Sequence, residues 1–124
     1  MAIRDELAAL NEGFARDLAN QDLDGLIARY TDDAQLLFPG EPILRGREAV
    51  ESTMRAWVAD GPVHLRFDTR DVIADGSLVI EIGEIVGSAG PRSKYVVVYR
   101  RSPDGRLRIA VDAASGVGDG PGAE

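Results

Sequence analysis

The first part of the chain carries hydrophobic residues at helical spacing. Ile3, Leu7, Leu10, Phe14 and Leu18 recur at intervals of three and four positions. Such a pattern predicts an amphipathic helix that buries one face. The polar residues between these positions belong to the solvent side of the same helix.

Two more helices are predicted before the middle of the chain. Asn20 or Asp22 can cap a short second helix. Its inward positions are Leu23, Leu26, Ile27 and Tyr30. Residues 34–38 then form a short strand, residues 43–45 a second brief extended piece, and residues 47–59 a third helix.

The second half changes to a period of two, which is the pattern of a half-buried strand. Asp75 and Gly76 predict a hairpin turn, and further turns contain Pro91 and Gly105. These turns separate four strands. The first starts at Val63, and the others cover residues 78–86, 95–101 and 107–114.

The predicted order is α-α-β-(β)-α-β-β-β-β, an α+β architecture. Three N-terminal helices cover one face of a curved, mainly antiparallel sheet, and together they form a cone. Residues 1–115 are one domain, and residues 116–124 are a disordered glycine-rich tail.

Residues 95–99 (YVVVY) are apolar on both faces of their strand. An antiparallel strand with one solvated face would alternate apolar and polar residues. A homodimer formed through the outer sheet face explains the pattern. The alternative is a central strand in a thicker monomeric core.

Composition removes several classes of function. The 124-residue chain has a net charge of -7, which disfavours binding to nucleic acid or to anionic membranes. It has no cysteine and one histidine, His64, so neither a zinc site nor a cysteine nucleophile is expected. No metal and no cofactor are predicted. No stretch resembles a signal peptide or a membrane span, so we expect a cytoplasmic protein.

Two motifs resemble those of a known family. Residues 30–34 (YTDDA), Pro39 and residues 46–50 (GREAV) resemble the signature of the SnoaL-like and ketosteroid-isomerase-like members of the nuclear transport factor 2-like superfamily. Residues 95–101 (YVVVYRR) and 104–112 (DGRLRIAVD) resemble the last hairpin of that superfamily. The resemblance implies the cone fold. It does not select a function, because the superfamily contains isomerases, polyketide cyclases, other lyases such as dehydratases, binders and assembly domains.

The resemblance argues against a true ketosteroid isomerase. The oxyanion-binding tyrosine of that enzyme falls on Phe14, its general base on Phe38, and its protonated aspartate on Val97. None of these side chains can donate or accept a proton. The three positions are therefore expected to line the pocket as apolar wall.

Asp112 is the leading candidate for chemistry. Strand alternation places Ala110, Asp112 and Ala114 on one face, and two alanines beside a carboxyl leave space for a pocket. Alternation alone equally allows this face to point to solvent, because Leu107 and Ile109 lie on the opposite one. The resemblance turns Asp112 into the cone, where burial would raise its pKa.

Three tyrosines can assist Asp112. Tyr30, buried at the end of the second helix, can donate a hydrogen bond to a substrate oxygen. Tyr95 and Tyr99 share a face with Val97, and each can pair with Asp112 or pack with its hydroxyl at the rim.

Other residues complete the predicted pocket. Glu84 shares a face with Ile80, so it is either a second pocket carboxylate or lies at a solvated strand end. Met54 and Trp57 on the third helix are expected to line the cavity and to favour a hydrophobic or aromatic ligand.

These residues lead to one main hypothesis. The chain is predicted to be a cofactor-free cyclase, isomerase or dehydratase that acts on an apolar oxygenated small molecule, with Asp112 as acid or base and Tyr30 as hydrogen-bond donor. The alternatives are a binding module that leaves its ligand unchanged and a dimeric assembly domain.

Overall fold

The computed structural model describes residues 2–87 and 90–116, with the side chains of residues 90–92 and 116 left out. Helix α1 covers Ile3–Ala19 and buries Leu7, Phe14 and Leu18, as its spacing predicts. Asp5 and Glu6 lie in its first turn, where carboxylates interact favourably with the helix dipole. The first helix is therefore confirmed.

The next two helices begin where the sequence predicts. Helix α2 covers Leu23–Ile27, and the Asp22 side chain caps it by accepting a hydrogen bond from the backbone N–H of Gly25 at 3.0 Å. Helix α3 covers Arg47–Val58 and buries its apolar face. That face consists of Val50, Met54 and Val58.

One sheet of six strands follows the order β2-β1-β6-β5-β4-β3. The strands are β1 (Tyr30–Leu37), β2 (Leu44–Arg45), β3 (Arg66–Asp75), β4 (Leu78–Gly87), β5 (Gly90–Arg101) and β6 (Leu107–Gly116). Neighbouring strands are antiparallel except β1 and β6, which are parallel. The α+β class, the element order and the four-stranded meander are confirmed.

Several element boundaries differ from the prediction. Strand β3 begins at Arg66 and not at Val63. Strand β5 begins at Gly90, so Pro91 lies in a strand and not in the predicted turn.

Tyr30 begins β1 and does not end the second helix, because α2 stops at Ile27. Gly116, which the sequence assigned to the tail, belongs to β6. The rest of the predicted disordered tail, residues 117–124, lies outside the described residues.

Register shifts interrupt four of the strand pairs. Such irregularities bend a sheet and increase its twist, so they give this sheet its concave and convex faces. The core lies between the concave face and the helices, and includes Leu18, Leu26, Leu36 and Met54. The predicted hairpin turn is confirmed: Gly76 adopts a φ of 61° there, which glycine tolerates best.

Candidate functional site

An open cavity of about 840 Å³ lies between the helices and the concave face of the sheet. Its wall is mostly apolar, and it contains most of the residues expected from the sequence. The predicted residues that line it are Phe14, Phe38, Trp57, Tyr95, Val97, Tyr99, Asp112 and Ala114. The cone therefore contains a pocket of the size that small organic ligands occupy.

Asp112 is buried and lines this cavity. Its Oδ2 accepts a hydrogen bond from the Tyr30 hydroxyl at 2.7 Å. Burial raises the pKa of the Asp112 carboxyl to about 6; the Tyr30 hydrogen bond opposes this shift, and the negative charge of Glu81 adds to it. Asp112 can therefore gain and lose a proton close to neutral pH.

An irregularity in β6 turns Asp112 inward. Tyr99 pairs with Ile109, whereas the preceding residue, Val98, pairs with Val111, so Ala110 is an extra residue in the strand. A bulge of this kind resets which side chains face the core. Ile109 before the bulge and Asp112 after it consequently lie on the same face, although they are three positions apart.

Tyr30 reaches Asp112 because β1 lies directly beside β6. The parallel register pairs Tyr30 with Ile109, and the Tyr30 ring is 2% exposed. Burial and the neighbouring Asp112 raise the pKa of the Tyr30 hydroxyl well above its usual value. Tyr30 does not line the cavity itself, so it holds the Asp112 carboxyl from behind.

Glu81 is a second buried carboxylate that the sequence analysis missed. It is 0% exposed and lies at the centre of β4. Its Oε2 accepts hydrogen bonds from Asn11 Nδ2 at 2.8 Å, Thr69 Oγ1 at 2.7 Å and the Tyr95 hydroxyl at 2.7 Å. Its Oε1 accepts a hydrogen bond from the Tyr99 hydroxyl at 3.2 Å. We call these five residues the Glu81 cluster.

Tyr95 and Tyr99 therefore pair with Glu81, and no hydrogen bond joins either of them to Asp112 among the described residues. Burial and Glu81 raise the pKa of both hydroxyls. Tyr95 lies across from Gly83 of β4, where an added Cβ would come within 2.5 Å of its hydroxyl oxygen. Gly83 thus provides the space that lets Tyr95 reach Glu81.

The face of β4 that carries Ile80 and Glu84 was expected to point into the pocket. Instead Val79 and Glu81 are buried, and Ile82 is 37% exposed on the outer face. Ile80 and Glu84 do not line the cavity, and Glu84 Oε1 instead accepts a hydrogen bond from Arg70 Nε at 2.9 Å. The expectation was wrong because the outer face of this strand carries apolar residues such as Ile82, whereas the buried inner face carries the charged Glu81. Apolar character therefore did not identify the buried face.

Two other expected lining residues also lie elsewhere. Met54 lies on the buried face of α3, is fully buried in the core and does not line the cavity. Ala110 is the extra residue of the β6 bulge and is buried outside the cavity wall. The spacing placed Met54 correctly on the buried face of α3, where it indicated burial and not contact with the cavity. The alternation that placed Ala110 on the face of Asp112 was wrong, because the bulge interrupts it.

The three positions that the resemblance matched to a steroid isomerase do lie together. Phe14, Phe38 and Val97 all line the cavity. They form apolar wall, so the proton-transferring groups of that enzyme have no equivalent at these positions. Asp112 is the buried carboxyl group among the described residues that line the cavity.

Fold and site together define a protein of the nuclear transport factor 2-like superfamily, with a cone-shaped cavity and a buried carboxyl on its wall. The sequence profile of the SnoaL-like domain matches residues 11–110. The chain belongs to the SnoaL-like domain family. No curated protein matches its sequence significantly.

Solved structures share the fold. One is a candidate calcium/calmodulin-dependent protein kinase type II association domain from Thiobacillus denitrificans, with 27% identity and a TM-score of 0.72 over 86% of this chain and 90% of that chain. Another is a ketosteroid isomerase-like protein from Erwinia carotovora, with 20% identity and a TM-score of 0.69 over 90% and 92%. A third is an NTF2-like protein with a cystatin-like fold from Novosphingobium aromaticivorans, with 21% identity and a TM-score of 0.71 over 97% and 85%.

Proposed function

We propose that the chain binds an apolar, oxygenated small molecule in its cavity and transfers a proton to or from it through Asp112, without a cofactor. The reaction classes that fit are cyclisation, isomerisation and dehydration. The observation that carries this proposal is the position of Asp112 on an apolar cavity wall, with one hydrogen-bond donor behind it and a pKa raised to about 6.

Each residue has a separate task in this proposal. Tyr30 donates to Oδ2 of Asp112 and orients the carboxyl. Oδ1 accepts no hydrogen bond from the described residues, so it is the oxygen available to a ligand. Above about pH 6 the carboxyl is mostly ionised and acts first as a base; the proton it takes can then return to the substrate. Phe14, Phe38 and Trp57 provide apolar contacts for the ligand.

The first test is a carboxyl-carbon NMR titration, with the Asp112 signal assigned by comparison with Asp112→Asn. Asp112 should titrate near pH 6, whereas the exposed Asp104, whose pKa Arg108 lowers to about 2, serves as an internal reference. A midpoint at or below the ordinary aspartate value of about 3.9 would rule out the proposed role.

Catalysis itself can be tested with β-tetralone, an apolar ketone with an acidic C–H group. Uptake of deuterium from heavy water, followed by NMR, reports proton transfer at carbon. Asp112→Asn should lower the protein-catalysed rate by at least about a hundredfold, the lower end of the range for a lost general base. Glu84→Gln, which changes a carboxylate outside the cavity, should keep the rate. No protein-catalysed uptake would favour a binding module, and equal uptake by Asp112→Asn would exclude Asp112 as the base.

A second candidate function is assembly. Ile73, Ile82 and Val96 expose apolar side chains on the outer sheet face, and one protein of similar structure is described as a candidate association domain. We propose that two copies of this chain pair through that face.

Among the described residues, no helix is long and apolar enough to cross a membrane; a cytoplasmic location stays a prediction.

A further inference from the structure

The hydroxyl groups of the three tyrosines each donate their proton to a carboxylate of the protein. Each phenol carries one O–H proton, and an ionised carboxylate can only accept hydrogen bonds. Tyr30 donates to Asp112 at 2.7 Å, and Tyr95 and Tyr99 donate to Glu81 at 2.7 and 3.2 Å. A ligand that reaches the oxygen of Tyr95 or Tyr99 therefore meets an acceptor.

The side-chain N–H groups of Asn11 also donate to protein acceptors. Its Nδ2 donates to Glu81 Oε2 at 2.8 Å and approaches Thr69 Oγ1 at 3.3 Å. Asn11 also lines the cavity, and its Oδ1 accepts no hydrogen bond from the described residues. Asn11 thus presents an acceptor as well.

The buried part of the cavity wall consequently offers acceptors only. The buried polar residues that line it are Tyr95, Tyr99 and Asp112. Four exposed polar residues also line the cavity: Glu41, Ser52, Trp57, whose indole N–H is a donor, and Ser115. The half-buried Thr53 and Ser93 hydroxyls can both donate and accept.

The buried charged groups at and behind the cavity wall are both acidic. Glu81 and Asp112 are two buried carboxylates, and none of the described residues that line the cavity is Arg, Lys or His. The Arg29 side chain behind Tyr30 is paired with Asp17 at 2.8 Å. Negative charge that is poorly screened by solvent attracts a cation and repels an anion.

We propose that the natural ligand carries a protonated amine on its apolar body, and that the ammonium group binds the acceptors of the Glu81 cluster next to Asp112. This inference rests on the proposed function and specifies its substrate class. Each N–H of the ammonium group finds an oxygen of Tyr95, Tyr99 or Asn11. The positive charge compensates Glu81, and Asp112 stays available as the base.

Three probes with one apolar body test this inference: β-aminotetralin, β-tetralol and tetralin β-carboxylate. The ammonium probe should bind the wild-type protein at least about tenfold more tightly than the carboxylate probe near neutral pH, by calorimetry or NMR titration. The alcohol should fall between them. Equal or tighter binding of the carboxylate probe, or no binding of the ammonium probe in the millimolar range, would overturn the proposal.

Glu81→Gln tests the source of the preference. The amide has a single acceptor oxygen and introduces two N–H donors, so at least one tyrosine has to turn its proton toward the cavity. The preference for ammonium over carboxylate should fall at least about tenfold. The matched control Glu84→Gln, on the same strand but outside the cavity, should keep it. An unchanged preference in folded Glu81→Gln would assign the selectivity to another group.

A second readout covers the case in which Glu81→Gln does not fold. In the wild type, a bound ammonium group close to Asp112 should move the NMR midpoint of Asp112 to lower pH, and the alcohol should not. No such movement at saturation would contradict the placement. If Asp112 titrates near pH 6 but the carboxylate probe binds best, the acid-base proposal survives and the cationic ligand does not.

Discussion

At the scale of single residues, the two buried carboxylates differ in how they are compensated. Glu81 accepts four hydrogen bonds, whereas Asp112 accepts one, from Tyr30. Glu81 holds side chains of α1, β3 and β5 in place through these contacts. Asp112 retains a second carboxyl oxygen that accepts no hydrogen bond from the described residues.

Asp112→Asn should change how stability depends on pH. The raised pKa means that the folded protein binds the Asp112 proton more tightly than the unfolded chain, where the value is about 3.9. The wild type therefore loses stability as the pH rises from about 4 to about 6, and the variant lacks this loss. Relative to wild type, the variant should gain about 2 kcal/mol between about pH 4.5 and about pH 7.5, measured by urea unfolding.

Asp104→Asn is the matched control for this experiment. The pKa of Asp104 is lowered to about 2 by Arg108 and by the backbone N–H of Arg106, so its stability contribution is lost only in more acidic solution. Its difference from wild type should be nearly constant across the same pH range. A constant difference for Asp112→Asn as well would mean that its carboxyl is not desolvated.

At the scale of elements, irregular strands place the functional groups. The bulge at Ala110 allows β6 to bury Leu107 and Ile109 and still present Asp112 and Ala114 on the same face. The glycine at position 83 of β4 has a comparable effect, because it leaves room for the phenol of the neighbouring strand. Regular strands with a side chain at every position would form neither group of contacts.

Gly83→Ala should disrupt the Glu81 cluster. A Cβ at this position would lie 2.5 Å from the Tyr95 hydroxyl oxygen and 2.5 Å from the backbone oxygen of Asp68, so something has to move. Overpacking of this kind typically costs about 1–3 kcal/mol, and loss of the Tyr95 hydrogen bond adds to it. Thermal unfolding followed by circular dichroism measures the change.

A double-mutant cycle separates the ring contact from general strain. In a Tyr95→Ala background the same glycine substitution no longer meets the Tyr95 ring and keeps its close approach to the backbone of Asp68, so its cost should fall by at least about 1 kcal/mol. If the two substitutions were additive, the close approach between position 83 and the ring would not be the cause.

At the scale of the whole molecule, the convex face of the sheet is unusually apolar for a surface. Ile73 is 51% exposed, Val96 40% and Ile82 37%, and they lie on three adjacent strands. Contiguous apolar patches on a protein surface commonly mark interaction sites. The residues that misled the assignment of β4 therefore support the proposed pairing of two copies.

Val96→Lys should convert the proposed dimer into a monomer. A lysine at position 96, on the β5 strand of the patch, places a charge opposite the same surface of the second copy. Light scattering coupled to size-exclusion chromatography should give twice the chain mass for wild type and the single mass for the variant. Ile43→Lys changes an apolar residue that is 61% exposed and directly precedes β2, the edge strand at the other end of the sheet, so this variant should remain dimeric. A monomeric wild type, or a dimeric Val96→Lys variant, would exclude this interface.

Much of the fold could be predicted because it depends on short stretches of sequence. The spacing of Leu7, Phe14 and Leu18 is enough to define α1, and Asp75 with Gly76 defines a hairpin turn. The site was predicted in part. The resemblance identified Asp112, and the pattern identified Tyr30 as buried. The 2.7 Å contact between these two side chains depends on the pairing of β1 with β6, because the residues are 82 positions apart in sequence.

The sequence by itself determined the helices, most of the turns and the order of the elements along the chain, since each follows from neighbouring residues and their periodicity. The apolar pocket wall at Phe14, Phe38 and Val97 was implied by the resemblance. Only the tertiary structure decided which face of β4 and β6 points inward. Alternation defines two faces without saying which is buried, and here both faces of β4 are largely apolar. A one-residue bulge and the pairing of adjacent strands settled the choice, and they brought Glu81 together with side chains from three other elements.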